Sequence, residues 1–168
     1  MAPTSEYQQQ PVSRSGPIIA ATTLIGVGMG GFVDGIILHQ ILQWHNMVSA
    51  KLPPDTLLNA KTNMFWDGMF HAGVWVVTMI GIVLLWNAVK NRSVNLSNKI
   101  LIGGFLFGWA IFNLVEGVID HHLLVLHNVR EISTSPSSWN FGFLGGSVIM
   151  LLIGWMLINK GRKSAFTT

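Results

Sequence analysis

Four long apolar runs decide what this chain can fold into. Half of its 168 residues are hydrophobic and only 10% are charged, and each run is long enough for a bilayer-spanning helix of about 20 residues. Backbone groups in lipid must be satisfied within their own segment, so such runs form helices. The sequence therefore predicts an all-α integral membrane four-helix bundle, with helices at about 18–47, 57–88, 99–129 and 139–159.

The segments outside the helices predict how the chain lies in the membrane. Residues 1–17 are polar and are predicted to form a disordered cytoplasmic tail, 18–160 the transmembrane domain, and 161–168 a second cytoplasmic tail. Most Lys and Arg residues lie in or beside these tails and the middle loop, and basic segments stay cytoplasmic. We therefore expect both termini on the cytoplasmic side of a bacterial inner membrane, with the protein crossing it several times.

Composition excludes several classes of protein. The absence of cysteine rules out disulfides, thiolate metal sites, iron–sulfur clusters and covalently attached haem. The net charge of +3 comes from residues that flank the helices, which is typical of membrane anchors and not of a nucleic-acid surface. The expected partners are the lipid bilayer and either another membrane protein or further copies of this chain, with no nucleic acid.

The end of the first helix is repeated at the end of the third. Positions 34–46 read DGIILHQILQWHN and positions 116–128 read EGVIDHHLLVLHN, with six of thirteen residues identical. The repeat preserves ionisable groups inside apolar sequence, which is the main clue to function. It predicts two helical hairpins in parallel orientation, related by a pseudo-twofold axis along the membrane normal.

Ionisable residues gather towards one end of the predicted bundle. A charge within the hydrocarbon costs at least ~2.5–3.5 kcal/mol, so such residues are functional by default and need partners. At a rise of 1.5 Å per residue, Asp67 and His71 of the second helix reach the level of the repeated groups, and Asp67 is expected to orient the His71 imidazole four residues on. The candidate metal-site residues are Asp34, His39, His45, Asp67, His71, Glu116, Asp120, His121, His122 and His127.

Helical geometry ranks these candidates. A stripe of small residues, Gly28, Gly31 and Gly35, is expected to let helices 1 and 3 approach closely, so that His39 and His121 face each other. His122 falls outside the buried arc. The predicted ligands are His39, His71, His121 and Asp67, with Asp34, Glu116 and Asp120 as neighbouring carboxylates and His45 and His127 nearer the interface.

Three interpretations of this cluster remain open. Neutral imidazoles and carboxylates suit one or two ions of Zn, Fe, Mn or Cu, in an enzyme or a metal-handling protein. A b-type haem between His39 and His121, with the small residues making room for the macrocycle, would instead serve electron transfer. The third interpretation is a structural Asp–His network or a proton path along Glu116, Asp120 and His127.

The paired motifs resemble those of a bacterial family of predicted membrane proteins, DUF2243. The residues that carry the likeness are VDG at 33–35, HQ at 39–40, WH at 44–45, EGVIDHH at 116–122 and His127. The family often has a second histidine after the position of His45, where this chain has Asn46, and His127 is likewise followed by Asn128. The resemblance spans all four helices and implies the fold, but the family name carries no activity.

Overall fold

Four helices make up the fold of the described residues. The computed structural model describes residues 14–90, 94 and 96–164, so most of the predicted N-terminal tail and the last four residues lie outside it. The described residues form no strand, and each helix is long and apolar enough to cross a membrane, as the sequence predicts. The helices are α1 (Gly16–Ile41), α2 (Leu57–Lys90), α3 (Asn98–Leu123) and α4 (Pro136–Ser164).

The helices α1 and α3 form a parallel central pair, with α2 packed outside α1 and α4 packed outside α3. Glycines permit the central contact, because a Cβ on Gly26 would overlap the carbonyl oxygen of Phe105 and a Cβ on Gly108 would overlap that of Thr23. These contacts are reciprocal, since 26 and 108, like 23 and 105, differ by 82. Small residues allow this close approach between membrane helices.

The predicted stripe of Gly28, Gly31 and Gly35 does not face α3. It faces α2, where a Cβ added to these glycines would meet the side chains of Thr78, Val74 and His71. The expectation that this stripe brings α1 against α3, or leaves room for a macrocycle, is wrong, because α2 fills the space. The close approach of α1 to α3 instead depends on Gly26 and Gly108.

Both central helices end in π-helical turns. The π-helical segments are Asp34–Ile41 in α1 and Ile119–Leu123 in α3, and each is followed by a left-handed residue, Gln43 (φ 51°) or Val125 (φ 49°). These helices therefore stop earlier than the expected ends at 47 and 129. Periodicity places a helix along an apolar run but does not encode where a π turn and a left-handed residue unwind it.

Two loops close the bundle over these helix ends. The amide of Ala50 donates to the carbonyl of Leu126 at 2.9 Å, and the amide of Glu131 donates to the carbonyl of Trp44 at 2.9 Å. Each loop therefore has a backbone partner in the other loop, three residues beyond the end of a central helix. The symmetry of the complete hairpins and the cytoplasmic position of the termini stay predictions.

Candidate metal centre

The π-helical turns bring an acid and a histidine together in each central helix. Residues five apart in an α-helix lie about 140° apart around the axis, but the i→i+5 bonding of a π-helix brings them onto one side. His39 Nε2 lies 2.9 Å from Asp34 Oδ2, and His121 Nε2 lies 3.7 Å from Glu116 Oε1. The local backbone therefore builds two acid–histidine pairs that a regular helical wheel separates.

Four imidazoles pack between these helix ends. The ring centroids are 4.5 Å apart for His39 and His45, 4.4 Å for His45 and His127, and 4.8 Å for His121 and His127. All four side chains are buried, as are the carboxyl groups of Asp34 and Glu116. The result is one compact cluster of six residues, hereafter the six-residue cluster.

The six-residue cluster contains two sets of three converging ligand atoms. One atom from each of Asp34, His39 and His45 lies within 4.8 Å of the others, and the same holds for His45, Glu116 and His127. The two sets share His45, and Asp34 and Glu116 line the same cavity. Two histidines and one carboxylate per set is a donor combination that suits Fe, Zn or Mn.

Asp67 orients His39. Its Oδ1 accepts from His39 Nδ1 at 3.0 Å and from the Met47 amide at 2.8 Å, and its Oδ2 accepts from Asn46 Nδ2 at 2.9 Å. Three surrounding donors match an ionised carboxylate, which accepts only. His39 therefore donates from Nδ1 and, when neutral, presents a bare Nε2 lone pair to Asp34. The Nε2 lone pair of His39 and the Asp34 carboxylate are then both acceptors, so a proton or a cation must lie between them.

His45 is oriented in the same way by a backbone group. Its Nδ1 donates to the carbonyl of Val129 at 2.8 Å, which leaves Nε2 directed at Asp34 Oδ1, 3.5 Å away. Metal-bound histidines almost always donate their other ring N–H to a carboxylate or a carbonyl. His39 and His45 both have this arrangement.

Unpaired buried atoms are confined to the six-residue cluster. Among the described residues, every buried side-chain nitrogen or oxygen without a hydrogen-bond partner belongs to it. An unsatisfied buried polar group costs about 1–3 kcal/mol. A proton on His39 Nε2 would pair only that atom with the Asp34 carboxylate and would leave the others unpaired. The unpaired atoms are Asp34 Oδ1 and Oδ2, His39 Nε2, His45 Nε2, Glu116 Oε2, His121 Nδ1 and Nε2, and His127 Nδ1.

The second half of the six-residue cluster lacks the orienting carboxylate. Asn140 takes the place that Asp67 has in the first half: its Oδ1 accepts from the Val129 amide at 3.0 Å and its Nδ2 donates to Asn128 Oδ1 at 2.9 Å. His121 Nδ1 makes no hydrogen bond. The two halves therefore have equivalent residues at equivalent positions, but only the first half has a carboxylate that orients a histidine through its Nδ1.

His127 lies beyond the membrane-spanning segment of α3. Burial, together with the nearby imidazoles of His45 and His121, holds the pKa of His127 well below its usual value of 6.5. Its ring is therefore neutral at pH 7, and neutral imidazole is the form that binds metals.

Three of the sequence candidates lie beside the six-residue cluster. His71 donates from Nδ1 to the backbone carbonyl of Asp67 at 2.7 Å, so the expectation that the Asp67 carboxylate orients His71 is wrong. His122 donates from Nδ1 to the carbonyl of Gly117 at 2.7 Å, and its ring packs against Phe141. Asp120 is half-buried and lines a cavity together with Asp34 and Glu116.

Two cavities reach the six-residue cluster from different directions. A cavity of about 630 Å³ between the two loops has His45 in its wall, together with Asn46, Asn128 and Glu131. A second cavity of about 220 Å³ lies among α1, α2 and α3 and reaches Asp34 and Glu116 through apolar side chains. The six-residue cluster lies between a polar approach from the loops and an apolar approach from the helices.

Sequence reasoning missed the residues that hold the loops to this site. Glu131 accepts from the amide and the side chain of Asn128, at 3.0 and 3.1 Å, much as Ser49 Oγ accepts from the amide of Asn46 at 3.1 Å. The available signal was the pair Asn46 and Asn128 at equivalent positions of the repeat. It was interpreted only as the place of a missing histidine.

Fold and site together define a helical membrane protein with a buried cluster of histidines and carboxylates at one end of the bundle. The family model for predicted membrane proteins, DUF2243, matches residues 21–161, and the chain belongs to this family. No curated protein and no solved structure matches the chain.

Proposed function

We propose that this protein is a membrane metalloenzyme with two adjacent metal ions held by Asp34, His39, His45, Glu116, His121 and His127. The observation that carries the proposal is the orientation of His39 and His45. Each donates from Nδ1 to a fixed acceptor and turns a free Nε2 towards Asp34. This is the arrangement by which proteins prepare histidines to bind metal ions.

A second metal is supported by the other half of the six-residue cluster. Glu116 and His127 converge beside His45, and an ion held by Asp34, His39 and His45 leaves unpaired atoms on Glu116, His121 and His127. Two facing carboxylates repel each other when ionised, and two cations remove this repulsion. Bound ions of this kind polarise a substrate oxygen, activate water or carry out redox chemistry.

An enzyme is favoured over a metal carrier by the rigidity of the donors. Buried ligands that are held by hydrogen bonds from two loops suit a resident cofactor, whereas a carrier must release its ion to a partner. The purified enzyme should therefore retain turnover alone and release its metal slowly to a chelator. Rapid transfer of the metal to an acceptor protein would support the carrier instead.

The test is elemental analysis and a visible spectrum of the detergent-purified protein from cells grown without added metal. We expect about two equivalents of Zn, Fe, Mn or Cu. His39→Ala and His127→Ala should each lower this content. The same change at His71 or His122, whose Nδ1 atoms donate to carbonyls outside the six-residue cluster, and Met79→Leu should leave it unchanged.

The outcome distinguishes the other interpretations. A Soret band would overturn the proposal in favour of a haem between His39 and His121. Equal metal content in all variants would also overturn it. A stable metal-free protein without a Soret band would favour the second candidate, a network in which a protonated His39 joins Asp34 to Asp67 at 2.9 and 3.0 Å. The assignment to a bacterial inner membrane belongs to the same proposal.

A further inference from the structure

The smaller cavity opens through the side of the bundle. Its walls come from all three neighbouring helices: Val27 from α1, Phe70 from α2, and Ile111, Phe112 and Val115 from α3. Its lining is mostly apolar, and the carboxylates of Asp34, Glu116 and Asp120 complete it. Val115 is 53% exposed within the membrane-spanning part of α3, and from this exposure we infer that the cavity opens towards lipid.

Polar atoms at the inner end define what this cavity can bind. Asp34 and Glu116 are 4% and 5% exposed, and Asp34 Oδ1 and Oδ2 and Glu116 Oε2 have no hydrogen-bond partner. Carboxylate oxygens accept hydrogen bonds and do not donate them. The carboxylate lone pairs that the proposed metal ions leave free therefore select a ligand with a donor group at its inner end, such as a hydroxyl.

The size of the cavity limits the ligand further. A volume of about 220 Å³ is smaller than the ~300–1,000 Å³ of pockets that enclose drug-sized molecules. It holds the end of a chain or a small ring, with the remainder left among the acyl chains. Phe70 and Phe112, whose ring centroids are 5.9 Å apart, line the cavity, and Phe70 also stacks on His39 at 5.9 Å.

We infer that this cavity admits a hydroxyl-terminated apolar molecule from within the bilayer and delivers its hydroxyl group to Asp34 and Glu116. The inference rests on the proposed function, because it names the substrate class of the same metal centre. Water and polar reactants reach the centre from the other side, through the larger cavity at His45.

The experiment uses an octanol that carries a photoreactive diazirine, added to the full-length protein in lipid vesicles. After irradiation, peptide mapping should find the label on Glu116 or Phe112. Val115→Trp places an indole in the opening and should cause loss of this label. The matched control is Val118→Trp, which makes the same change at a position that is 45% exposed on the next turn of α3 but does not line the cavity. Val115→Phe serves as a milder block if the tryptophan variant does not fold.

Competition tests the hydroxyl group. Excess octanol should remove the label from the cavity, whereas octane, which has no donor, should not. Equal competition by octane would overturn the choice of a hydroxyl ligand, and label on lipid-facing residues alone, or label unchanged by either Val115 variant, would overturn entry through the cavity. Metal content is measured on the same vesicles. Labelled protein without metal would overturn the proposed metal centre while leaving the cavity as the binding site.

Discussion

Asp67 offers a sharp test of the site, because the chain contains its own comparison at Asn140. Asp67→Asn keeps an Oδ1 acceptor for the Met47 amide, as Asn140 does for the Val129 amide. It also keeps a partner for Asn46, whose amide can turn to accept a hydrogen bond. The main loss is the negative charge beside His39 Nδ1.

The expected change in metal affinity follows from the loss of the Asp67 charge. Hydrogen bonds to an ionised acceptor are about twice as strong as neutral ones, and removal of a carboxylate that orients a ligating histidine typically costs 10–100-fold in metal affinity. We therefore expect Asp67→Asn to weaken the tighter metal by ~10–100-fold, about 1.4–2.8 kcal/mol.

The assay is a titration of the metal-free protein in detergent with Zn²⁺ or Co²⁺ against a competing chelator, so that two dissociation constants are resolved. Asp55→Asn makes the same change on an exposed loop carboxylate and should alter neither constant. An unchanged tighter constant in a folded Asp67→Asn protein would refute the idea that Asp67 prepares His39 as a ligand. A loss of helical circular dichroism would instead show that Asp67 is needed for folding.

Three further predictions concern the stability of the fold. The free energy of unfolding of the metal-free protein should fall as the pH drops below about 6.5, because the unfolded chain then protonates His127 while the lowered pKa keeps it neutral in the fold. The slope is at most ~1.4 kcal/mol per pH unit. A His127→Leu protein that kept the full slope would contradict this prediction. Gly108→Ala should destabilise the protein by about 1–3 kcal/mol, because the added Cβ overlaps the Thr23 carbonyl. The control Gly142→Ala, whose Cβ meets no atom, should not destabilise it. Thermal unfolding in detergent compares the two variants, and equal midpoints would refute the prediction. Val125→Asn should raise the midpoint by relieving up to ~1–2 kcal/mol of strain in a left-handed β-branched residue, and a lower midpoint would show that the Val125 side chain contributes more by packing than it costs.

The sequence predicted the four helices because length and apolar composition determine whether a segment can cross a membrane. It did not predict the π-helical turns, because their i→i+5 hydrogen bonds leave no mark on hydrophobic periodicity. The regular wheel therefore set Asp34 and His39 about 140° apart, whereas the structure brings them to 2.9 Å. This difference is the main reason why Asp34 and Glu116 were ranked as neighbours of the site.

The sequence also did not predict how α2 is rotated or how the two loops fold over the helix ends. His71 reaches the predicted depth, and its Nδ1 donates to the backbone of its own helix while its Nε2 lies beside Gly35. Its role as a ligand stays a prediction. His45 and His127 enter the six-residue cluster only after the chain has turned through Gln43 and Val125. No pattern along a helix describes a side chain that lies beyond the end of that helix.

The division of the ligands between α1 and α3 has a mechanical consequence. The first hairpin supplies Asp34, His39 and His45 and the second supplies Glu116, His121 and His127. The set of His45, Glu116 and His127 combines residues of both hairpins, so an ion bound there would cross-link the two halves of the chain. Occupancy then stabilises the association of the hairpins by RT ln(1 + [M]/Kd), ~2.7 kcal/mol at a hundredfold excess over Kd. A site within one hairpin would leave that association unchanged. Withdrawal of the metal should therefore loosen the contact between α1 and α3 before it affects the hairpin of α1 with α2 or that of α3 with α4.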